Sequence, residues 1–271
     1  MRTADTDRYL AALFAPAAPR QHLHALYAFA SEIARVREAA REPLPGEIRL
    51  QWWRDVLNRE ARGEVAASPV AAALCDTIAR CALPVERLIA LIDTHAFDLY
   101  DGAMASLADL DAYAERTCGT LFALAAQVLG GTDGRDAIAV AAASAGIAYG
   151  VAQRLRTFPR DLARRQLFVP LDLLTERGVA REEIEAQQNA AGLQAALAAL
   201  RDHARAACGR FRAVASDIPE PCAPAFLVAA LAPLLLARLD AAAAHPFAGV
   251  EVPQWRRQWA LWRAARRWPR V

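Results

Sequence analysis

Leu26, Phe29, Ile33 and Val36 recur at spacings of three and four, which draws one apolar stripe down a helix. Such a stripe belongs in a core, and the chain repeats the pattern. After Leu83-Pro84, residues Leu88, Leu91, Ile92, His95 and Leu99 fall on one side of another helix. Alanine dominates, only 13 glycines are spread through 271 residues and 7% are aromatic, which favours helix over sheet, while 55% hydrophobic residues suffice for a substantial core. The sequence predicts an all-α protein.

Proline, glycine and capping signals divide it. A short helix over 8–14 is stopped by Pro16 and Pro19, and an opening helix runs from about Arg20 to Arg41. Pro43-Leu44-Pro45-Gly46 breaks it before a helix with Ile48, Trp52, Trp53 and Val56, and the short connection predicts an antiparallel hairpin. Ser68-Pro69 is a cap followed by proline at the first helical position. Further helices are expected from near Asp109 to Gly130-Gly131, over 135–156, 173–178, 181–187 and 193–217, and over 226–243. Pro159 should interrupt any helix there, so that Thr157 and Asp161 do not share a regular face. The uncharged run Pro221 to Ala237 reads as a buried, kinked helix rather than a membrane span. With no internal repeat, 1–250 reads as one domain and 251–271 as a basic, tryptophan-rich helix.

Net charge is +2, but the last 21 residues hold six arginines against Glu251, so this tail is +5 and the rest about −3. That argues against nucleic acid as a partner. Five cysteines without a C-x-x-C pair read as buried free thiols in a reducing compartment, and no signal peptide opens the chain, so a cytoplasmic location is expected. His22 and His24 at i,i+2 cannot face one metal from a helix, and His95 sits on an apolar side, so all three read as structural.

Ser31, Ala34, Arg35 and Glu38 form a second stripe at i, i+3, i+4 and i+7 beside the first. The pattern around Leu26-Tyr27-Ala28-Phe29 resembles the first active-site helix of squalene and phytoene synthases. There this stripe carries an arginine followed by aspartates that hold Mg²⁺ against a prenyl diphosphate, oxygen ligands that suit the ion. Here the arginine position is Ser31, the aspartate positions are Ala34 and Arg35, and Glu38 alone keeps a carboxylate. Gly146 to Pro170 resembles the second station. Gln153 stands at an asparagine, Arg156 keeps an arginine, Thr157 replaces one aspartate, Asp161 keeps the other, and Phe168 replaces a tyrosine. Both stations are degenerate.

The resemblance runs from about Asp7 to Asp240. Through Glu32 to Val36, Gly46 to Trp53, Leu155-Arg156, Pro159, Arg164-Arg165 and Val169-Pro170 it is closer to the complex I assembly factor branch and its bacterial relatives than to the enzymes. It implies a single-domain helical bundle of the isoprenoid synthase type, reused without its chemistry for assembly of the respiratory NADH dehydrogenase. Complex I subunits or assembly intermediates are then the expected partners, with an isoprenoid or lipid ligand, no catalytic residue and no cofactor. The alternative is a Mg²⁺-dependent prenyl transferase joining prenyl diphosphates, for which Glu38 and Asp161, helped by Asp98 or Asp101, are few ligands.

Tyr27, Glu38, Gln153, Arg156, Asp161, Arg164 and Arg165 are the candidate ligand-binding residues, around an apolar pocket between the 26–41 and 146–156 helices. Arg156, Arg164 and Arg165 could hold an anionic head group as planar forks without metal. Against this, Glu32, Arg35, Glu38 and Arg41 could simply pair along an exposed helix, and the basic turn could be solvated. In the tail, Trp255, Trp259 and Trp262 share one face while Arg256, Arg257, Arg263 and Arg267 surround it. That arrangement suits peripheral contact with the inner face of a membrane, or a helix that packs its tryptophans into the bundle.

Overall fold

A computed structural model describes residues 5–39, 42–61, 65–100, 102–131, 134–188 and 191–270. In chain order the helices are α1 (Thr6–Ala12), α2 (Ala17–Ala34), α3 (Val36–Ala39), α4 (Pro43–Asn58), α5 (Pro69–Cys81), α6 (Val85–Ala96), α7 (Leu107–Ala114) and α8 (Thr120–Val128). Then come α9 (Arg135–Ala163), α10 (Leu171–Thr175), α11 (Arg181–Glu185), α12 (Ala191–Val214), α13 (Ala223–Phe226), α14 (Leu231–Ala241) and α15 (Gln254–Arg267). No strand occurs among the described residues. One isolated bridge, Ala103 with Leu167, ties the loop after α6 to the loop after α9.

The helix starts follow local chemistry. Ser68 Oγ accepts from the Ala71 amide (3.4 Å) at the head of α5, where Pro69 forfeits no bond because first-turn amides lack intrahelical partners. Ser106 and Asp109 form a reciprocal capping box on α7. Between α7 and α8 the helix widens into one π-turn, Glu115–Gly119. There Gly119 lies directly against Gly146 of α9, where a Cβ would stand 2.6 Å from the Gly119 backbone. Glycine at 146 lets the two backbones touch. α9 is the central post, packed by α12, α14, α7, α8 and the π-turn.

Leu26, Phe29, Ile33 and Val36 are all buried, as are Leu88, Leu91, Ile92, His95 and Leu99. Each such apolar side chain contributes about 1.5–3 kcal/mol by leaving water. Several expectations need correction. α2 ends at Ala34, with Arg35 in a non-helical conformation, and α3 is a separate turn, so Glu38 is not on the same helix as Ser31. Pro43 and Pro45 lie inside the first turns of α4 rather than before it, since that is where missing amides are tolerated. α2 packs chiefly on α5 and α8 and α4 on α6; α2 and α4 also meet, through the Phe29–Trp53 ring pair (4.9 Å) and the Arg49–Glu32 ion pair (2.7 Å), which run in opposite chain directions as the expected antiparallel hairpin requires.

α9 also continues through Pro159. Proline removes one amide and strains the preceding turn, yet Leu155 and Phe158 are buried and a Thr157–Asp161 hydrogen bond spans the ring, so the helix is held on both sides. The run from Glu220 to Ala241 is interrupted by a 3₁₀ turn at Leu227–Ala230, the expected kink. Two helical stretches, Arg135–Ala163 and Glu220–Ala241, are long and apolar enough to cross a membrane, and both are mostly buried in the bundle. The five cysteines are free, Cys208 and Cys222 buried and Cys75, Cys81 and Cys118 half-buried.

Candidate functional site

The two degenerate stations face each other. Ser31, Ala34, Arg35 and Glu38 line one side of a cavity of about 460 Å³, and Gln153, Arg156, Thr157 and Arg160 of α9 line the other. The expected borders are therefore right, but the expected apolar lining is not. The walls are rich in guanidinium groups because α1 adds Arg8 and α15 adds Arg257.

Glu38 sits at the junction. Its carboxylate meets Arg35 Nε at 2.9 Å, Arg160 at 3.2 Å and Arg164 at 3.5 Å. Partial burial works against its charge, but these arginines prevail and hold it below the ordinary glutamate range. Of the row of pairs expected along an exposed helix, Arg35–Glu38 forms, Glu32 bonds Arg49 instead of Arg35, and Arg41 lies outside the described residues.

Asp161 is buried behind Thr157, whose Oγ1 stands 2.6 Å from Oδ2, with Arg154 at 3.5 Å. Burial raises its pKa, and Arg154 and the Thr157 bond offset that only in part. Arg156 Nε donates to Gln153 Oε1 (2.7 Å), and Gln153 in turn donates to the Tyr149 hydroxyl (2.5 Å). Tyr27 is buried beneath Arg8, and Arg165 is exposed in a left-handed turn (φ 57°), outside the cavity wall.

Arg8 and Arg154, which sequence reasoning passed over, and Arg257, which it placed on the membrane or partner face of the tail, complete the walls. Arg8 pairs with Asp5 (2.6 Å) and lies over the Tyr149 ring at 5.5 Å, a cation–π contact. Burial opposes its charge, and Asp5 together with the neighbouring Tyr149 and Cys118 more than restores it. Arg154 lies 4.6 Å over the Phe168 ring, a second cation–π contact. Arg257 donates to both oxygens of Asp7 (2.8 and 2.7 Å), joining α15 to α1 across the rim. Counting i+3 and i+4 steps along α9 from Gly146 would have found Tyr149, Gly150 and Arg154. No local signal relates Asp7 to Arg257.

Residues 1–263 match the model of the squalene/phytoene synthase family. The chain belongs to this family. It is 31% identical over 228 residues, 84% of this chain and 68% of the relative, to NADH dehydrogenase (ubiquinone) complex I, assembly factor 6 of Rattus norvegicus. It is also 29% identical over 208 residues to phytoene synthase of Thermus thermophilus, covering 76% of this chain and 69% of that one. A squalene synthase structure from Alicyclobacillus acidocaldarius superposes with a TM-score of 0.72 at 24% identity, over 91% and 92% of the two chains, so the isoprenoid synthase fold is shared.

Squalene/phytoene synthase ancestry implies Mg²⁺, and the carboxylates present do not suit it. Mg²⁺ asks for free oxygen ligands in octahedral geometry, whereas Glu38 is held by three arginines and Asp161 is enclosed by Thr157 and Arg154. Asp98 is committed to His95 (2.7 Å) and the Tyr113 hydroxyl (3.0 Å), and Asp101 lies outside the described residues. Among the described residues no three His, Cys, Asp or Glu side chains converge as a metal site. His22 bonds Thr77 (2.9 Å) and His24 stacks on Tyr9 (5.1 Å), both structural contacts as expected.

Proposed function

We propose that this protein is a non-catalytic member of the squalene/phytoene synthase family, working as an assembly-factor-type binding protein for respiratory complex I at a membrane surface. The observation that carries the reading is Glu38. The carboxylate left at the first station is shared by Arg35, Arg160 and Arg164 and stands as an anion among guanidinium groups, not as a metal ligand. Releasing a diphosphate leaving group requires its developing charge to be neutralised in the transition state, and a carboxylate already engaged cannot recruit a cation for that.

The similarity to complex I assembly factor 6 supports the partner class, complex I subunits or assembly intermediates. The C-terminal helix supports the location. Leu261 and Ala264 are buried against the bundle, while Trp255, Trp259 and Trp262 are 64%, 55% and 40% exposed and Arg256, Arg263, Arg266 and Arg267 are exposed around them. Tryptophan partitions to the bilayer interface, and each arginine near anionic lipid adds about 1 kcal/mol. The protein then sits peripherally at the inner, cytoplasmic face of the membrane, with an isoprenoid or lipid as the cavity's ligand.

Incubation with farnesyl or geranylgeranyl diphosphate and Mg²⁺ tests the catalytic half, and pyrophosphate release at background rate is expected. Enzymatic release would restore the prenyl transferase reading. Deleting the gene tests the other half, with a loss of assembled NADH dehydrogenase on native gels as the expected result.

A further inference from the structure

Single exposed apolar side chains are ordinary on a protein surface, whereas a rigid cluster of them marks a contact. Leu13 and Phe14 stand 42% and 41% exposed at the corner between α1 and α2. The corner is firmly built. The amides of Leu13, Phe14 and Ala15 donate to the carbonyls of Leu10, Ala11 and Ala12 (3.2, 3.1 and 3.0 Å), and Arg20 reaches back from α2 to the carbonyls of Leu13 (3.2 Å) and Ala15 (2.8 Å). A turn tied this closely cannot tuck the two side chains away, so they stay in water until something covers them.

The same corner adjoins the end of α15. Phe14 borders a groove of about 680 Å³ whose other wall carries Ala265, Arg266 and Trp268, with Ile218 and Leu227 between. Arg266 lies 4.9 Å over the Trp262 ring, and Trp262 stacks on Trp259 at 4.8 Å. Apolar surface therefore continues from Phe14 across the groove to the exposed tryptophans, with a guanidinium laid among the rings. Charge follows the same path: Arg263, Arg266, Arg267 and Arg270 are exposed at this end of α15, against Asp217 and Glu220 of the turn that lines the groove.

We propose that Leu13 and Phe14 form a second membrane contact, so that one anionic phospholipid leaflet seats over the α1–α2 corner and α15 together, its lipid filling the groove between them. The inference deepens the peripheral membrane reading and rests on it. Arginines interleaved with aromatic rings match the headgroup level of a leaflet, where ring, chain and phosphate lie close together. A fluid leaflet also fills an irregular groove, which a folded protein surface does only with a ridge of matching shape. The consequence is a fixed orientation. A lone amphipathic helix can roll on the surface it binds, but two contacts on separate elements of one bundle hold the molecule at a set angle.

The test uses the full chain with p-benzoylphenylalanine in place of Phe14, illuminated on vesicles of phosphatidylcholine and phosphatidylglycerol. A lipid adduct is expected at position 14, and none when the same group replaces Ile48, an equally apolar and exposed residue of α4. Leu13→Ser combined with Phe14→Ser should keep a native melting profile and lower the vesicle partition coefficient at least about tenfold, since both side chains then lose their transfer out of water. If that variant melts early, the adduct at position 14 decides, because the benzophenone keeps the ring in place. Absence of the lipid adduct while the parent floats, an adduct to a second protein chain, or unchanged partitioning of the serine variant overturns the proposal and leaves α15 as the membrane contact. A parent that does not bind these vesicles defeats the membrane reading and this inference together.

Discussion

Thr157 and Asp161 share a buried hydrogen bond, Oγ1 to Oδ2 at 2.6 Å, one helical turn apart with Pro159 between them. Thr157 Oγ1 also lies 3.0 Å from the Gln153 carbonyl. A hydroxyl has one proton, so Thr157 donates to Asp161 while the carboxylate is ionised. When Asp161 is protonated the acid can donate to Thr157, and Thr157 to Gln153. Thr157→Val removes the donor but keeps the shape, leaving the acid with Arg154 at 3.5 Å. The expected cost is about 1–3 kcal/mol, read as a lower urea midpoint at unchanged slope. An unchanged midpoint would show that the bond contributes nothing.

That geometry also sets a pH dependence. Asp161 is raised above its ordinary 3.8 by burial, and Asp7 likewise despite Arg257. A carboxyl with a raised folded pKa binds its proton more tightly in the native state. The stabilisation it gives is fully present below pH 3.8 and is lost as pH rises through the folded value. Asp161→Asn keeps a neutral group at all pH, so its urea midpoint relative to the parent should rise with pH across the acidic window that opens at 3.8. Glu38 works the other way. Its lowered pKa gives stability present above 4.5 and lost as pH falls through the folded value, a small effect because its side chain is 26% exposed. A relative midpoint that falls across that window would show the ionised Asp161–Arg154 pair to dominate.

How much of this was readable beforehand follows the range of each interaction. The stripe of Leu26, Phe29, Ile33 and Val36 and the cap at Ser68 are local, and they gave the bundle and its helix starts. The motif positions around Ser31 and Gln153 were legible too: those of Gln153 share a face of α9, and those of Ser31 still line one wall because α3 follows α2 after the single residue Arg35. What failed was the character of the space between them. Arg8 and Arg257 enter the cavity from elements at opposite ends of the chain, and the Asp7–Arg257 bond spans 250 positions. No periodicity reports such a contact. Pro159 misled for a related reason, since a proline penalty of a few kcal/mol is overridden when buried side chains on both sides fix the helix.

Gly146 should be nearly irreplaceable. A Cβ at this position meets Gly119 Cα and N at 2.6 Å and the Ala114 carbonyl at 3.2 Å, all backbone atoms that cannot rotate away. Gly146→Ala would force α9 from the π-turn, at about 1–3 kcal/mol for overpacking, in spite of alanine's better helix propensity. Gly209, on α12 with nothing within 4 Å of its would-be Cβ, is the control, and Gly209→Ala should stabilise. Thermal melts that rank the two alike would refute the close approach.

The Asp7–Arg257 pair should couple the two ends of the chain. Asp7→Asn and Arg257→Gln each leave one charge half-buried without its partner, whereas the double variant leaves none. A double-mutant cycle on urea midpoints should give an interaction energy of about 0.5–3 kcal/mol, the double variant being less destabilised than the sum. Strict additivity would mean that α15 is held by its apolar contacts, Leu261 and Ala264 among them, and not by this pair.

The membrane expectation can be tested without disturbing that packing. Trp255, Trp259 and Trp262 are exposed, and Trp259 stacks on Trp262 at 4.8 Å, so they form one aromatic patch on the outer side of α15. Trp268 is the exception, packed towards Phe211 and Phe226, where a tryptophan does serve the bundle. Replacing Trp255 and Trp259 by serine changes exposed positions only, so stability should stay within about 0.5 kcal/mol of the parent. Arg263→Gln with Arg267→Gln, likewise exposed, lowers the charge and keeps the rings. On liposomes containing anionic lipid the parent should float, the tryptophan variant should remain with the soluble fraction, and the arginine variant should float less as salt is raised. If the tryptophan variant floats as well as the parent, α15 is not the anchor, and its exposed rings belong to a protein partner instead.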